Sequence, residues 1–539
     1  MGLSNPDHPH KPLYEVAHPL LYHYLLSIHF SIFGESTVSG RLMGVSCFVI
    51  MLLLILKISK QLFSGNKGSV VGIVAIFLFS INPFCVQNSL LLDIDTTILP
   101  VLIMIFYYGF LRSRAGKTIS SIVVLSMLFA MCLWAKEITP YFVLLSMLIY
   151  LSVARNIRSA VTISGLIGLL GTLLFIISWT IFCHFTNVPI LTFVEFSMIN
   201  KASNVSFYSE SISLRGILYH LSFSSRWLTP AMCLLLFASF IKRIILLFKY
   251  PRRTTQIDFL WIFVIIYWII TNLIMYSTKY QYPIYGLAVI FVAEYIYETL
   301  SGNDRKVIVI SVVLGVIVGL FASLIPHEPL YEQTFLRQGV GQKLSFLEEY
   351  LTPETYIVAD VVLFTFIPFT IAIITHLLLS NSKNYYTMLT VALISCVIAS
   401  SLSLNLKQTK PYTTALSWDL ANYGERGFWE TLDYLKLHIG NSKPVVRKDF
   451  GYYLNIGKEG NKVQWIYNMI FRNVNDKEKA LSILKDPHVR YVVVDRCCNP
   501  DNAVEILHGH FELTKILGDF RIYHKCSSGS ESESNTNTL

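Results

Sequence analysis

The chain has 539 residues, of which 53% are hydrophobic and only 14% charged, with a mean hydropathy of +0.54. A soluble domain carries about 25% charge, so a soluble globular class is excluded. The net charge of +9 does not point to nucleic acid, because the Lys and Arg residues sit in short loops between apolar stretches, which is the orientation signal of membrane proteins.

The first residues, MGLSNPDHPHKPLYEVAHPLLY, are polar and rich in Pro and His. His8 and His10 could bind a phosphate or a metal, or belong to a solvated tail. The Pro-braced segment His18-Pro19-Leu20-Leu21-Tyr22 leads into an amphipathic stretch ending near Gly34 and Glu35, which is expected to be a helix lying in the membrane interface. Residues 1–37 are read as one extracytoplasmic segment.

Apolar stretches follow at 38–56, 70–84, 94–111, 119–134, 138–154, 160–182, 228–248, 257–276, 282–296, 307–325, 356–379 and 386–404. A bilayer core needs roughly 20 apolar residues per helix, so residues 38–405 are expected to form an α-helical polytopic membrane domain of about twelve spans. The connecting loops alternate in charge. One set holds Lys57, Lys60, Lys67, Arg112, Arg114, Lys117, Arg155, Arg158, Lys242, Arg243, Lys249, Arg252, Arg253, Arg305, Lys306 and Lys383. The opposite set holds only Lys136, Lys201, Arg215, Arg226, Lys279, Arg337 and Lys343, although most of these lie in much longer loops. The first set is therefore placed in the cytoplasm, and the loops at 183–227 and 326–353 outside. The N-terminal tail then also lies outside. Either the first helix translocates it, or an upstream helix precedes the sequence; the second is expected.

Residues 406–525 differ in kind. Strand-length runs (Pro444-Val445-Val446, Tyr491-Val492-Val493-Val494, Phe520-Arg521-Ile522-Tyr523) alternate with helical patterns at 428–438 and 476–484, which suggests a small extracytoplasmic α/β domain. The tail 526–539 is low in complexity and is expected to be disordered. Cys526 could form a disulfide with Cys497 or Cys498, or all three could stay free thiols; Asn204-Val205-Ser206 is a glycosylation sequon on an outer loop.

Three outward clusters stand out: Asp7-His8-Pro9-His10 with the segment from His18, Asp93 with Asp95, and Lys136 with Glu137; a related feature lies at 279–283. Asp93 and Asp95, two residues apart at a membrane boundary, either cap the next helix or point into one cavity. Lys136 and Glu137 form a charged pair in a very short outer turn; Lys136 meets a ligand anion such as a phosphate, or simply pairs with Glu137. Lys279 and Tyr280, ahead of Gln281-Tyr282-Pro283, either hold a phosphate or belong to the aromatic belt.

Three segments in this order resemble one family: HPLLYHYLLSIHFSIFGEST and SGRL over 18–42, NPFCVQNSLLLDIDTTILP over 82–100, and WAKEITPYFVLLS over 134–146. They are similar to the GT-C membrane glycosyltransferases of the protein O-mannosyltransferase and aminoarabinose-transferase type, which use polyprenyl- or dolichyl-phosphate sugars. The resemblance implies transfer of a sugar from a lipid-linked donor to a glycan, lipid or protein acceptor on the extracytoplasmic side of a membrane, with the bacterial inner or plasma membrane expected. It implies Asp93 as catalytic base, and Lys136, Glu137, Lys279, Tyr280, His18 and Asp95 as residues binding the donor and its phosphate. No metal ligands are assigned, although a divalent metal is left open as a cofactor; the bilayer, the lipid-linked sugar and the acceptor are the partners, with no nucleic acid. The family also has a first helix and an acidic Asp-Glu pair upstream of its HPPL-like element, neither of which this sequence contains, and Leu20 stands where a second Pro is usual. Two alternatives remain: a family member that binds lipid phosphate without catalysis, and a polytopic transporter or flippase. The latter would carry charges deep in its spans or broken helices in two matching halves, and the sequence shows few such charges and no repeat.

Overall fold

The computed structural model describes residues 4–5, 8–12, 19–34, 37–89, 94–113, 118–186, 190–191, 230–249, 255–274, 281–300, 305–324, 370, 374, 383–408, 427–440, 442, 444–446, 484–494, 506–518 and 520–526. The chain divides into two compact units. The first comprises Met1, Pro12–Glu328 and Gly339–Lys410; the second comprises Gly2–Lys11, Pro329–Gln338 and Pro411–Leu539. Near the start, β1 (Ser4–Asn5) and β2 (His8–Pro12) pair as a two-stranded sheet.

The first unit is helical: α1 (Leu21–Phe33), α2 (Thr37–Leu62), α3 (Gly65–Ile81), α4 (Pro83–Ser89), α5 (Ile98–Arg112), α6 (Ile119–Ala135), α7 (Thr139–Ala154), α8 (Ile157–Thr186), α9 (Pro230–Lys249), α10 (Gln256–Ile274), α11 (Tyr282–Leu300), α12 (Arg305–Leu324) and α13 (Lys383–Gln408). Every apolar stretch expected from the sequence coincides with one of these helices except 356–379, which lies outside the described residues apart from Thr370 and Ile374. By length and composition, Ser39–Leu62, Ile157–Thr186 and Tyr282–Leu300 are long and apolar enough to cross a membrane, and shorter apolar helices accompany them.

Local chemistry sets the boundaries. The apolar run at 70–84 breaks at Ile81 because Pro83 drives Asn82 into an extended conformation (φ −69°, ψ 124°). The Asn82 side chain then accepts hydrogen bonds from the backbone N–H groups of Phe84 (3.0 Å) and Cys85 (3.4 Å), starting α4. The run at 94–111 becomes helical only at Ile98, after a turn over 94–97. Pro100 falls in the first turn of α5, where its missing N–H costs no intrahelical bond. Gly34 ends α1 with φ 82°, a conformation that a side chain disfavours, and its N–H donates to the Phe30 carbonyl at 2.8 Å.

Between helices, lipid-facing and protein-facing residues separate at helical spacing. On α8, Ile163, Ile167, Gly171, Phe175 and Trp179 are buried, whereas Leu169, Leu173, Ile176 and Ile177 are uncovered by protein. Close approach relies on small residues. A Cβ on Gly171 would meet the Ser126 carbonyl oxygen at 2.8 Å and the Phe129 ring at 2.7 Å. On α12, Gly315 and Gly319 are four residues apart; a Cβ would lie 2.1 Å from the Ala392 carbonyl oxygen and 2.7 Å from that of Cys396, so α12 and α13 pack backbone to backbone. Helix α11 is the most enclosed, with Tyr282–Ala293 buried throughout.

One end of the helical unit is tied by shared charges. Lys67, at the start of α3, meets Glu294 (3.2 Å) and Glu298 (2.9 Å) near the end of α11, and Lys242 of α9 meets Glu298 at 2.7 Å. Arg243 meets Asp258 at 2.5 Å and Thr255 at 2.7 Å, which fixes the start of α10. This basic end gathers loops that the sequence assigns to one side.

In the second unit, α14 (Phe428–His438) and the strands β3 (Tyr491–Val494), β4 (Phe511–Leu517) and β5 (Phe520–Lys525) build an antiparallel sheet in the order β3-β5-β4. Val445 adds a parallel bridge to Val492 on the free side of β3. Alternation sends Val492 and Val494 to one core with Val445, Leu507 and Phe511. Tyr491 and Val493 go to another with Leu432, Leu435 and Phe520. Gly427 (φ 84°) starts α14 against β4, where a Cβ would be 2.1 Å from the Leu517 carbonyl oxygen. The helix at 428–438 and the strands at 491 and 520 stand where the sequence places them, and β4 was not expected. The helical pattern at 476–484 lies outside the described residues except for Leu484. Cys526 is an exposed free thiol, while Cys497 and Cys498 lie outside the described residues.

Candidate functional site

At the end of the helical unit opposite the basic one, two turns meet. The first, over 94–97, carries Asp95 into α5. The second, over 136–138, joins α6 to α7. Lys136 breaks α6 by turning extended (φ −154°, ψ 130°) while its N–H still donates to the Cys132 carbonyl at 2.9 Å. Thr139 and Pro140 then begin α7. This geometry places the Lys136 ammonium against the Asp95 carboxylate as a buried ion pair. The two residues are only 5% and 4% exposed, and Glu137 beside them is 6% exposed.

The sequence offered Lys136 two partners, a ligand anion or Glu137; the structure supplies a third, Asp95. At such burial a charge stripped of its partner costs several kcal/mol, so the pair is mutually dependent. Thr96, Thr97, Thr139 and Tyr267 surround it, all buried. Tyr267, from the middle of α10, stands beside Thr139 and within electrostatic reach of Asp95, and its ring packs between Phe142 (6.0 Å) and Phe263 (5.6 Å). Nothing in the sequence singled out Tyr267, since an aromatic residue in an apolar span reads as core.

An aromatic shelf adjoins the pair. Trp134, two residues before Lys136, donates its indole N–H to Ser178 Oγ at 2.7 Å and meets Trp179 and Phe182 edge-on at 5.6 and 5.8 Å. Tyr24 of α1 packs on Phe182 at 6.0 Å, so α1 lies over the same end of the bundle. Its remaining face, with Ile28, Ile32 and Phe33, is uncovered by protein.

Arg41, in the first turns of α2, is also at this end, because α2 runs from here to the tight turn that leads to Lys67. It lies within the SGRL segment that the sequence singled out, yet was given no role. Its Nη2 is shut off from solvent and has no hydrogen-bond partner among the described residues. A cation on the side poor in Lys and Arg was the signal that marked Lys136, and the same signal would have found Arg41.

The structure thus brings together Asp95, Lys136 and Glu137. Asp93, His18, Lys279 and Tyr280 lie outside the described residues. Among the described residues, no three His, Cys, Asp or Glu side chains converge as a metal site.

Residues 17–182 match the sequence profile of the family described as dolichyl-phosphate-mannose-protein mannosyltransferase, a segment that contains α1 to α7, most of α8 and the Asp95–Lys136 pair. No curated protein matches the chain. Among solved structures, ArnT from Cupriavidus metallidurans bound to undecaprenyl phosphate is similar at a TM-score of 0.56 with 10% identity, covering 96% of this chain and 89% of that one. The same protein in its apo state aligns at a TM-score of 0.45 with 12% identity, covering 94% and 87%. In sequence over residues 17–182, and in fold over nearly the whole chain, this protein is similar to GT-C membrane glycosyltransferases.

Proposed function

We propose that this protein is an integral-membrane glycosyltransferase that moves one sugar from a polyprenyl-phosphate donor to a glycan, lipid or protein acceptor on the extracytoplasmic side. The observation that carries this reading is the family match over 17–182, because those helices are the ones that bring Asp95 and Lys136 together. The undecaprenyl phosphate held by ArnT, which shares the fold, supports a lipid phosphate of that kind as the leaving group.

In this reading the basic end faces the cytoplasm of a bacterial inner or plasma membrane, and the Asp95–Lys136 end faces outward. Helix α1 lies in the outer interface with Ile28, Ile32 and Phe33 toward lipid. The second unit is assigned to the extracytoplasmic side. The acceptor hydroxyl or amine attacks C1 of the sugar as the bond from C1 to the phosphate oxygen breaks. Polyprenyl phosphate departs with the electron pair, and the acceptor proton passes to the Asp93 carboxylate. Lys136, oriented by Asp95, meets the negative charge that grows on the leaving phosphate, and Glu137, Lys279, Tyr280 and His18 are assigned to donor binding by the family resemblance. An ammonium has three N–H donors, so pairing with Asp95 is compatible with donation to phosphate as well.

The test is transfer by the purified full-length protein in detergent, from polyprenyl-phosphate sugars to a panel of acceptors. Transfer that Asp93→Asn abolishes is the expected result. Absence of both transfer and polyprenyl-phosphate binding in the unmodified protein would overturn the reading; binding without transfer would mark it as a lipid-phosphate binder.

A further inference from the structure

We infer that Arg41 is a phosphate-binding residue at the Asp95–Lys136 end, an assignment that rests on the lipid-phosphate reading above and adds a group to it. Three observations carry it. The guanidinium is the half-buried cation of α2, and its Nη2 is shut off from solvent with no hydrogen-bond partner among the described residues. Among the described residues no ion pair compensates it, whereas several other partly or fully buried cations of this unit have one: Lys136 with Asp95, Arg243 with Asp258, Lys242 with Glu298, and Lys67 with Glu294 and Glu298. Finally, it sits at the end where Lys and Arg are scarce, so it is not an orientation signal.

A buried donor left unsatisfied is costly, and a charged one more so. A side chain kept in that state has its partner supplied from elsewhere. The missing partner must be an anion with several acceptor oxygens, because the planar guanidinium presents parallel N–H groups that match a phosphoryl group two at a time. Lipid-linked phosphate and free phosphate share that chemistry. Arg41 is thus a binding residue for the donor or for the phosphate product, alongside Lys136.

This assignment makes a stability prediction that a structural arginine would not. Removing an unpaired, half-buried charge does not weaken the fold, so Arg41→Gln keeps or raises the melting temperature while it loses phosphate affinity. The experiment uses the purified full-length protein in detergent, titrated with undecaprenyl phosphate and separately with inorganic phosphate, and reads the melting temperature and direct binding. The expected result is at least tenfold weaker undecaprenyl-phosphate binding in Arg41→Gln with no fall in melting temperature. Arg41→Lys should recover part of the affinity, since the charge survives without the paired geometry. Stabilisation by inorganic phosphate that Arg41→Gln removes assigns the site to the phosphoryl group alone; stabilisation by the lipid only assigns it to the lipid headgroup. Equal undecaprenyl-phosphate binding by wild type and Arg41→Gln overturns the inference and leaves the proposed function standing. A melting temperature that falls together with affinity assigns Arg41 to structure and also overturns it. Failure of the wild type to bind undecaprenyl phosphate at all strikes the proposed function itself.

Discussion

The two ends of the helical unit use the same interaction to opposite effect. At the basic end, two lysines share two glutamates, so Lys67 and Glu298 each have a second partner, and Lys67, Lys242 and Glu298 keep 28%, 28% and 38% of their side chains exposed. At the other end Lys136 meets Asp95, with side chains 6% and 5% exposed. Redundant, wet ion pairs hold helices together at little cost. A dry pair contributes less to stability, because desolvation of both charges offsets much of their attraction. The second arrangement suits a site that must keep a cation oriented and away from water until an anion arrives.

The largest effect should come from breaking the dry pair on one side only. Lys136→Ala leaves the Asp95 carboxylate buried without its lysine and is expected to destabilise the protein by about 3–5 kcal/mol, read as a fall in melting temperature. Replacing both, as Asp95→Asn with Lys136→Met, should recover most of that loss. If the two single variants and the double variant lose similar stability, the two residues are not coupled and the comparison between the ends fails.

Next in size is a change in packing with no charge involved. Gly315→Ala puts a methyl group where the Ala392 carbonyl now lies, so α12 and α13 must separate, with an expected loss of about 1–3 kcal/mol. Thermal unfolding that is unaltered in Gly315→Ala would show that charge, and not close backbone packing, governs the bundle's stability.

The smallest effect belongs to the basic end. Lys67→Gln should cost about 1 kcal/mol, less than Lys136→Ala, since Lys242 still serves Glu298 and Glu294, 17% exposed, keeps partial access to water. The loss should shrink further at high salt, whereas that of Lys136→Ala should hardly respond to salt, because buried pairs are screened much less. A similar salt response in both variants would erase the distinction drawn between wet and dry pairs.

The helices were legible because lipid demands long apolar runs, and their order survives in the structure from α2 to α13. Their starts were less legible. Pro83 and Pro100 displaced the ends of α3 and α5 by several residues through backbone constraints that hydropathy does not report. In the second unit the buried YVVV run announced β3, whereas β4, FELTKIL, is largely exposed and lacks a strand's apolar alternation. At the site, charge on the unexpected side of the membrane marked Lys136, and adjacency suggested Glu137 as its partner. The true partner is forty-one residues away, on the turn before α5, and only the packing of α5 against α6 brings it there. Tyr267 was invisible for the same reason: its importance comes from what α10 packs against, not from the residues around it in the chain.

The most direct test of the central claim is the dependence of sugar transfer on donor concentration in the double variant, Asp95→Asn with Lys136→Met, once its melting temperature has been shown to lie close to that of wild type. The account predicts a KM for polyprenyl-phosphate sugar raised at least tenfold, with the KM for acceptor unchanged, because the ammonium that meets the phosphate is gone while the fold remains. A donor KM equal to that of wild type would contradict it and would leave the Asp95–Lys136 pair as a structural feature alone.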